Sequence, residues 1–205
     1  MKPRTLILLA ALVPVLSGCF GAAAVGVGAG VLVFADRRQA ETIVSDEGIE
    51  IRAGNRIAEK FGGNTHVNVT SYNRTVLLTG EVPDAAAKTA IEKIVSEVPN
   101  VKAVSNELQV AGASTLTARS NDTYITSKVK ARFIDANKFS ANHVKVVTEA
   151  GVVYLMGLVT QAEATAAVEV ARTTGGVQKV VRVFEIISDA EAHKSSPPPA
   201  AKPAQ

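Results

Sequence analysis

The most constraining feature of the chain is a valine-rich pattern that occurs twice. One copy runs from Val67 to Val82, the other from Val144 to Val159, and they align without a gap at an offset of 77 residues. The alignment pairs Val67 with Val144, Val69 with Val146, Leu78 with Leu155 and Gly80 with Gly157. Each copy has two extended runs rich in β-branched residues around a turn signal, which is the pattern of a β-hairpin. Gly151 marks one turn, since glycine takes positive φ without a Cβ clash, and Asn73 is expected to take that duty in the other.

The repeat extends beyond the hairpins. Upstream, at an offset of 76, Asp46, Ile49, Ala53, Arg56 and Ile57 align with Asp122, Ile125, Val129, Arg132 and Phe133, and the apolar members recur at helical spacing. Downstream, residues 85–98 and 162–175 read as Ala-rich helices, each followed by a last strand, 101–110 and 177–187. The fold class expected is therefore α+β, with two tandem αββαβ units. In each, a three-stranded mixed sheet carries two helices packed on one face. Residues 45–111 and 121–188 are the two domains, 112–120 a polar linker, and 189–205 a Pro-rich tail that reads as disordered. The first unit has 7 Lys+Arg against 9 Asp+Glu and the second 8 against 6, so the two have diverged in sign.

The N-terminus sets the compartment. Lys2 and Arg4 precede an apolar run, Leu6 to Leu16, and the sequence Leu16-Ser-Gly-Cys19 follows. A basic stretch, an apolar stretch and small residues make a secretory signal over residues 1–18. The Leu-Ser-Gly-Cys ending looks like a bacterial lipobox, which implies cleavage before Cys19 and its lipidation. Cys19 is the chain's one cysteine, so an intrachain disulfide is excluded. Phe20 stands where an aspartate would retain such a lipoprotein in the inner membrane, which favours the outer membrane. Residues 19–44 then form a tether. Its Gly/Ala-rich segment, Gly21 to Phe34, is too short to span a bilayer as a helix. Without residues 1–18 the chain has 20 Lys+Arg against 19 Asp+Glu. The pI of about 9.0 thus belongs largely to the precursor and gives no reason to expect a nucleic-acid partner.

No constellation for catalysis is evident. His66 and His143 stand just before aligned strands, and no paired Cys/His spacing marks a metal site. There is no Gly-x-Ser-x-Gly elbow, and the glycines of 26–30 do not join a strand to a helix. Asp46 and Glu47 read as residues of a helix start, serving its dipole and cap. The expectation is a non-enzymatic protein with no cofactor and no metal.

One surface stands out. Asn121-Asp122-Thr123 reads as the N-cap of a helix from Tyr124 to Ile134, with Ile125, Val129 and Phe133 on its core side. The opposite flank gathers Tyr124, Ser127, Lys128, Lys130, Ala131 and Ile134. An aromatic, an aliphatic and two lysines on one exposed face suit a membrane-interface helix. The first repeat has Gly48, Arg52, Gly54 and Ala58 at matching places and lacks the aromatic.

With two αββαβ units, a lipobox, the run Ser120-Asn-Asp-Thr-Tyr-Ile-Thr-Ser-Lys-Val-Lys130 and the motif Asn142-x-Val-Lys-Val-x-Thr-Glu-x-Gly-x-Val-Tyr-Leu-Met-Gly-Leu-Val159, the chain resembles the dual BON-domain outer-membrane lipoproteins. Among them it is most similar to the division-site-localised family. The resemblance implies a periplasm-facing, lipid-anchored protein that supports outer-membrane integrity. It also implies that the first helix of the second domain binds anionic phospholipid, phosphatidylglycerol or cardiolipin, and that the protein acts near the β-barrel assembly machinery. The family's membrane-inserting aromatic is a tryptophan, where this chain has Tyr124. The rival expectation is a scaffold that binds an envelope protein through the same helix or a sheet edge.

Overall fold

A computed structural model describes residues 36–195. The expected lipidation site, the Gly/Ala-rich segment and the Pro-rich end of the tail lie outside these residues. The first repeat runs α1 (Ala40–Phe61), β1 (His66–Tyr72), β2 (Thr75–Val82), α2 (Ala85–Ser96), β3 (Ala103–Asn106) and β4 (Gln109–Val110). The second runs α3 (Leu116–Ala136), β5 (Lys145–Glu149), β6 (Val152–Val159), α4 (Gln161–Arg172) and β7 (Lys179–Ile186), and a short α5 (Asp189–Ser195) follows. In each repeat the first two strands pair antiparallel, and the last strand joins the second in parallel. The α+β architecture with two mixed sheets thus stands as the sequence predicts.

Local chemistry starts the helices. Asp84 caps α2 by accepting from Ala87 N at 2.7 Å. Thr160 and Glu163 form a reciprocal capping box on α4. For α3 the structure corrects the expected start. The cap is Thr115, which accepts from Ala118 N, and the helix takes up five of the residues read as linker. α1 likewise begins at Ala40, within the expected tether. Part of the expected disordered tail is helical, as α5.

Asp46 and Asp122 are consequently not cap residues. Each lies inside the first helix of its repeat, buried, with its carboxylate turned to the hairpin. Asp46 accepts from the amides of Asn73 and Arg74 and from the Ser71 hydroxyl, at 2.7–2.8 Å. Asp122 accepts from the amides of Ala150 and Gly151, at 2.9 and 2.8 Å. Both hairpins turn through two residues of positive φ, Asn73-Arg74 and Ala150-Gly151. That is the tight turn whose twist matches its strands.

The Gly80 and Gly157 pair has a steric cause. A Cβ on Gly80 would stand 2.0 Å from the carbonyl oxygen of His66, and one on Gly157 2.3 Å from that of His143. The chain entering the first strand crosses so close that only glycine fits. The first repeat's last strand is broken where the second's is continuous. Leu78 pairs with Asn106 and Glu81 with Gln109, while Leu108 between them turns into the core.

Each repeat has its own aliphatic core. Ile49, Ala53 and Ile57 of α1 meet Val76, Leu78 and Val82 of β2 and Ile91 and Val95 of α2. Ile125, Val129 and Phe133 of α3 meet Val153, Leu155 and Ala167 likewise. The outer faces of the two sheets then pack on each other through Tyr72, Leu77, Tyr154 and Met156. Burial pushes the phenols of Tyr72 and Tyr154 up to about 12. The layers therefore run helices, sheet, sheet, helices, with α1 and α3 in opposite outer layers.

Candidate functional site

On α3 the residues opposite the core are those that the sequence singles out. Tyr124, Ser127, Lys130, Ala131 and Ile134 are exposed, Tyr124 at 62% and Ile134 at 68% of full accessibility. The earlier helix start adds one residue that sequence reasoning missed. Leu116, 80% exposed, lies five turns before Ile134 at 100° per residue, on the same line of the helix. The stripe from Leu116 through Ser127 to Ile134 is about 27 Å long, with Tyr124 and Ala131 along one side. The start of the helix was the lost signal, because Thr115-Leu-Thr-Ala carries a cap but no strong apolar periodicity.

Lys128 is placed differently from its neighbours. It is half-buried, its Nζ donates to the Gly175 carbonyl, and it lies 4.6 Å from the centre of the Tyr124 ring. It therefore ties α3 to the loop after α4 and steadies Tyr124 by a cation–π contact, and it does not stand free in solvent. Lys130 is the exposed cation of the face. Beside it, a groove of about 520 Å³ runs between α3 and the inter-repeat seam, lined among others by Arg119, Ser127, Lys130, His66 and Glu149. The Ser127 hydroxyl donates back to the Thr123 carbonyl.

The first repeat lacks the tyrosine in the matching place, yet its helix is not bare. Val44 and Ile51, 68% and 64% exposed, lie two turns apart on the outer side of α1. No aromatic accompanies them.

The histidines have more structure around them than strand starts require. His66 Nδ1 is 2.9 Å from Glu81 Oε2. The buried His143 has Nδ1 3.6 Å from Glu163 Oε1, too far for a hydrogen bond. Burial, with the Arg37 guanidinium nearby, holds the His143 imidazole below its ordinary value. Burial alone would raise the Glu163 carboxyl, but the hydrogen bonds from Arg37 overcome it and hold the group below its ordinary value. Arg37 stands just after the Gly/Ala-rich segment. It reaches from the chain before α1 into the second repeat, bonding Glu163 at 2.6 and 2.9 Å and the Leu158 carbonyl at 2.9 Å. Its neighbour Arg38 bonds Asp46 and stacks 4.0 Å from the centre of the Tyr72 ring.

The family described as BON domain matches residues 45–112 and 121–188. The chain is 34% identical over 174 residues to outer membrane lipoprotein DolP of Haemophilus influenzae, covering 84% of this chain and 90% of that one. It is 32% identical over 154 residues to a 21 kDa hemolysin of Actinobacillus pleuropneumoniae, covering 74% and 79%. Over 120 residues, 57% of this chain and 60% of the relative, it is 32% identical to osmotically-inducible protein Y of Escherichia coli. Among solved structures, the type III secretion protein CdsD of Chlamydia trachomatis is 13% identical at a TM-score of 0.30. It covers 74% of this chain and 96% of CdsD, a likeness too low to inform on function.

Proposed function

Since this chain belongs to the BON-domain family, as a dual BON-domain outer-membrane lipoprotein, we propose that its second domain docks on anionic phospholipid through the outer face of α3. The protein then acts without catalysis, as a membrane-positioned module that supports the envelope. The observation that carries this reading is the exposed stripe of Leu116, Tyr124 and Ile134 with the exposed Lys130 beside it. Apolar residues in a file, an aromatic with a polar tip and flanking cations fit the headgroup boundary of an anionic bilayer. Among the described residues no helix is long and apolar enough to cross a membrane. Anchoring falls to acylated Cys19, and the α3 contact sets orientation. The layer order makes that orientation specific, because a bilayer under α3 leaves α1 facing away from it.

Vesicle flotation of residues 36–195, the whole of the described fold, tests the reading. Binding is expected to phosphatidylglycerol vesicles and much less to phosphatidylcholine. Lys130→Glu weakens it most at low salt, since each lysine at an anionic surface is worth about 1 kcal/mol and is screened by ions. Tyr124→Ala weakens it and Tyr124→Trp strengthens it at every salt concentration. Arg52→Glu on α1 leaves it unchanged. Equal binding to both lipids, or equal losses from Arg52→Glu and Lys130→Glu, sinks the proposal. The anchor is checked on the full chain, where labelled palmitate is incorporated and Cys19→Ala abolishes incorporation.

A further inference from the structure

We propose that His66, Glu81 and Glu149 form a divalent-cation site that joins the two repeats, with Zn²⁺ as the ion that fits. Each residue offers one ligand atom, and the three atoms lie within 4.8 Å of one another. Tetrahedral zinc bonds of about 2.0–2.2 Å put neighbouring ligands about 3.3–3.6 Å apart, so closure needs shifts of only about 1 Å. An imidazole with two carboxylates suits a first-row ion better than Ca²⁺ or Mg²⁺, which take oxygen alone.

The charges around the site call for such an ion. Glu81 and Glu149 are 7% and 6% exposed, and they come from different repeats. Among the described residues neither has a Lys or Arg ion-pair partner, and His66 Nδ1 on Glu81 is their one ionic contact. Two buried anions side by side are costly without a compensating cation. Both carboxylates also accept a hydrogen bond from a neighbouring group, as metal ligands do. Asn68 Nδ2 donates to Glu149 Oε2 at 2.8 Å, and Ser114 N to Glu81 Oε2 at 3.2 Å. On the same face of β2, one step from Glu81 and paired with Asn68, the Thr79 hydroxyl is buried and has no partner. A cation-bound water is the kind of partner it lacks. The groove beside α3, lined by both His66 and Glu149, gives the ion a way in and leaves a coordination position to water.

The test is calorimetric titration and thermal melting of the detergent-solubilised full chain, stripped with EDTA and then supplied with ZnCl₂. One Zn²⁺ binds per chain and raises Tm, as linkage requires of a ligand held only by the folded state. His66→Gln and Glu149→Gln each abolish the saturable binding and the rise in Tm, and His193→Gln leaves both intact. Without metal, Glu149→Gln melts no lower than the parent, because it removes one of two like charges and keeps an acceptor for Asn68. Lost binding in that variant is therefore not unfolding. Absence of saturable Zn²⁺ uptake, or uptake that survives unchanged in both His66→Gln and Glu149→Gln, overturns the proposal.

Discussion

Arg74 and Gly151 occupy the same place in the two hairpin turns, at φ 66° and 74°. A side chain in that conformation costs roughly 1–2 kcal/mol, which the first repeat bears and the second avoids. Gly151→Val should lower stability by about that amount or more through backbone strain, while the end of the Gln178 side chain, 2.9 Å from the new Cβ, can move aside. Arg74→Gly should be neutral or raise stability by up to about 1 kcal/mol, since strain relief exceeds the entropy that glycine adds to the unfolded chain. Urea denaturation of both variants checks this, and a loss in Gly151→Val with no loss in Arg74→Gly is the expected outcome. The turns were legible from the glycine and from Asn73, which does take positive φ, at 51°. Asn73 aligns with Ala150, however, and the residue that replaces Gly151 is an arginine whose strain no propensity reveals.

At the level of elements, one aspartate in each first helix holds the hairpin that packs beneath it. Asp122 satisfies both turn amides of the second repeat, and hydrogen bonds to a charged group are worth about 1.5–3 kcal/mol each. Asp122→Ala should therefore cost about 3 kcal/mol or more, and hydrogen exchange should show early opening at the Ala150 and Gly151 amides. Loss of stability without faster exchange at those amides would place the aspartate's role elsewhere. The sequence aligned Asp46 with Asp122 but suggested caps, because an aspartate near an expected helix start usually is one. Only the true starts, Ala40 and Leu116, put both residues two turns or so inside their helices.

In the whole molecule, the two sheets share an apolar seam, and polar contacts rim it. Asn73 donates to Glu185, Lys145 to Glu50, and Arg37 crosses to Glu163. Arg37→Ala strands a carboxylate that is only 16% exposed, and the cost is expected to be roughly 3 kcal/mol. The same cluster makes stability depend on pH. His143 is held below its ordinary 6.5, so below that pH the unfolded chain binds a proton that the fold refuses, and stability falls. Glu163 is held below its ordinary 4.5. The stability it contributes is present above that value and is lost as pH falls through its folded-state value. Thermal melts from pH 8 to pH 4 should show a first loss near 6.5 that His143→Gln removes. A second loss below about 4.5 should persist in His143→Gln and shrink in Arg37→Ala.

By itself the sequence determined the α+β class, the doubled αββαβ order, the core faces of α1 and α3 and the exposed face with Tyr124, Lys130 and Ile134. These follow from local periodicity and from an alignment of the chain with itself, gapless over the hairpins and shifted by one residue over the helices before them, which needs no knowledge of distance. What the tertiary structure alone decided is which distant segments meet, within the second repeat and across the two. It turned Lys128 from a free cation into a link to Gly175, and made Arg37 a bridge to Glu163. It also gathered His66, Glu81 and Glu149, which no spacing connects, at one point of the seam. The physical reason is that the two sheets meet by their outer faces. Which strand residues then stand opposite one another depends on how the sheets dock, and neither repeat encodes that separately.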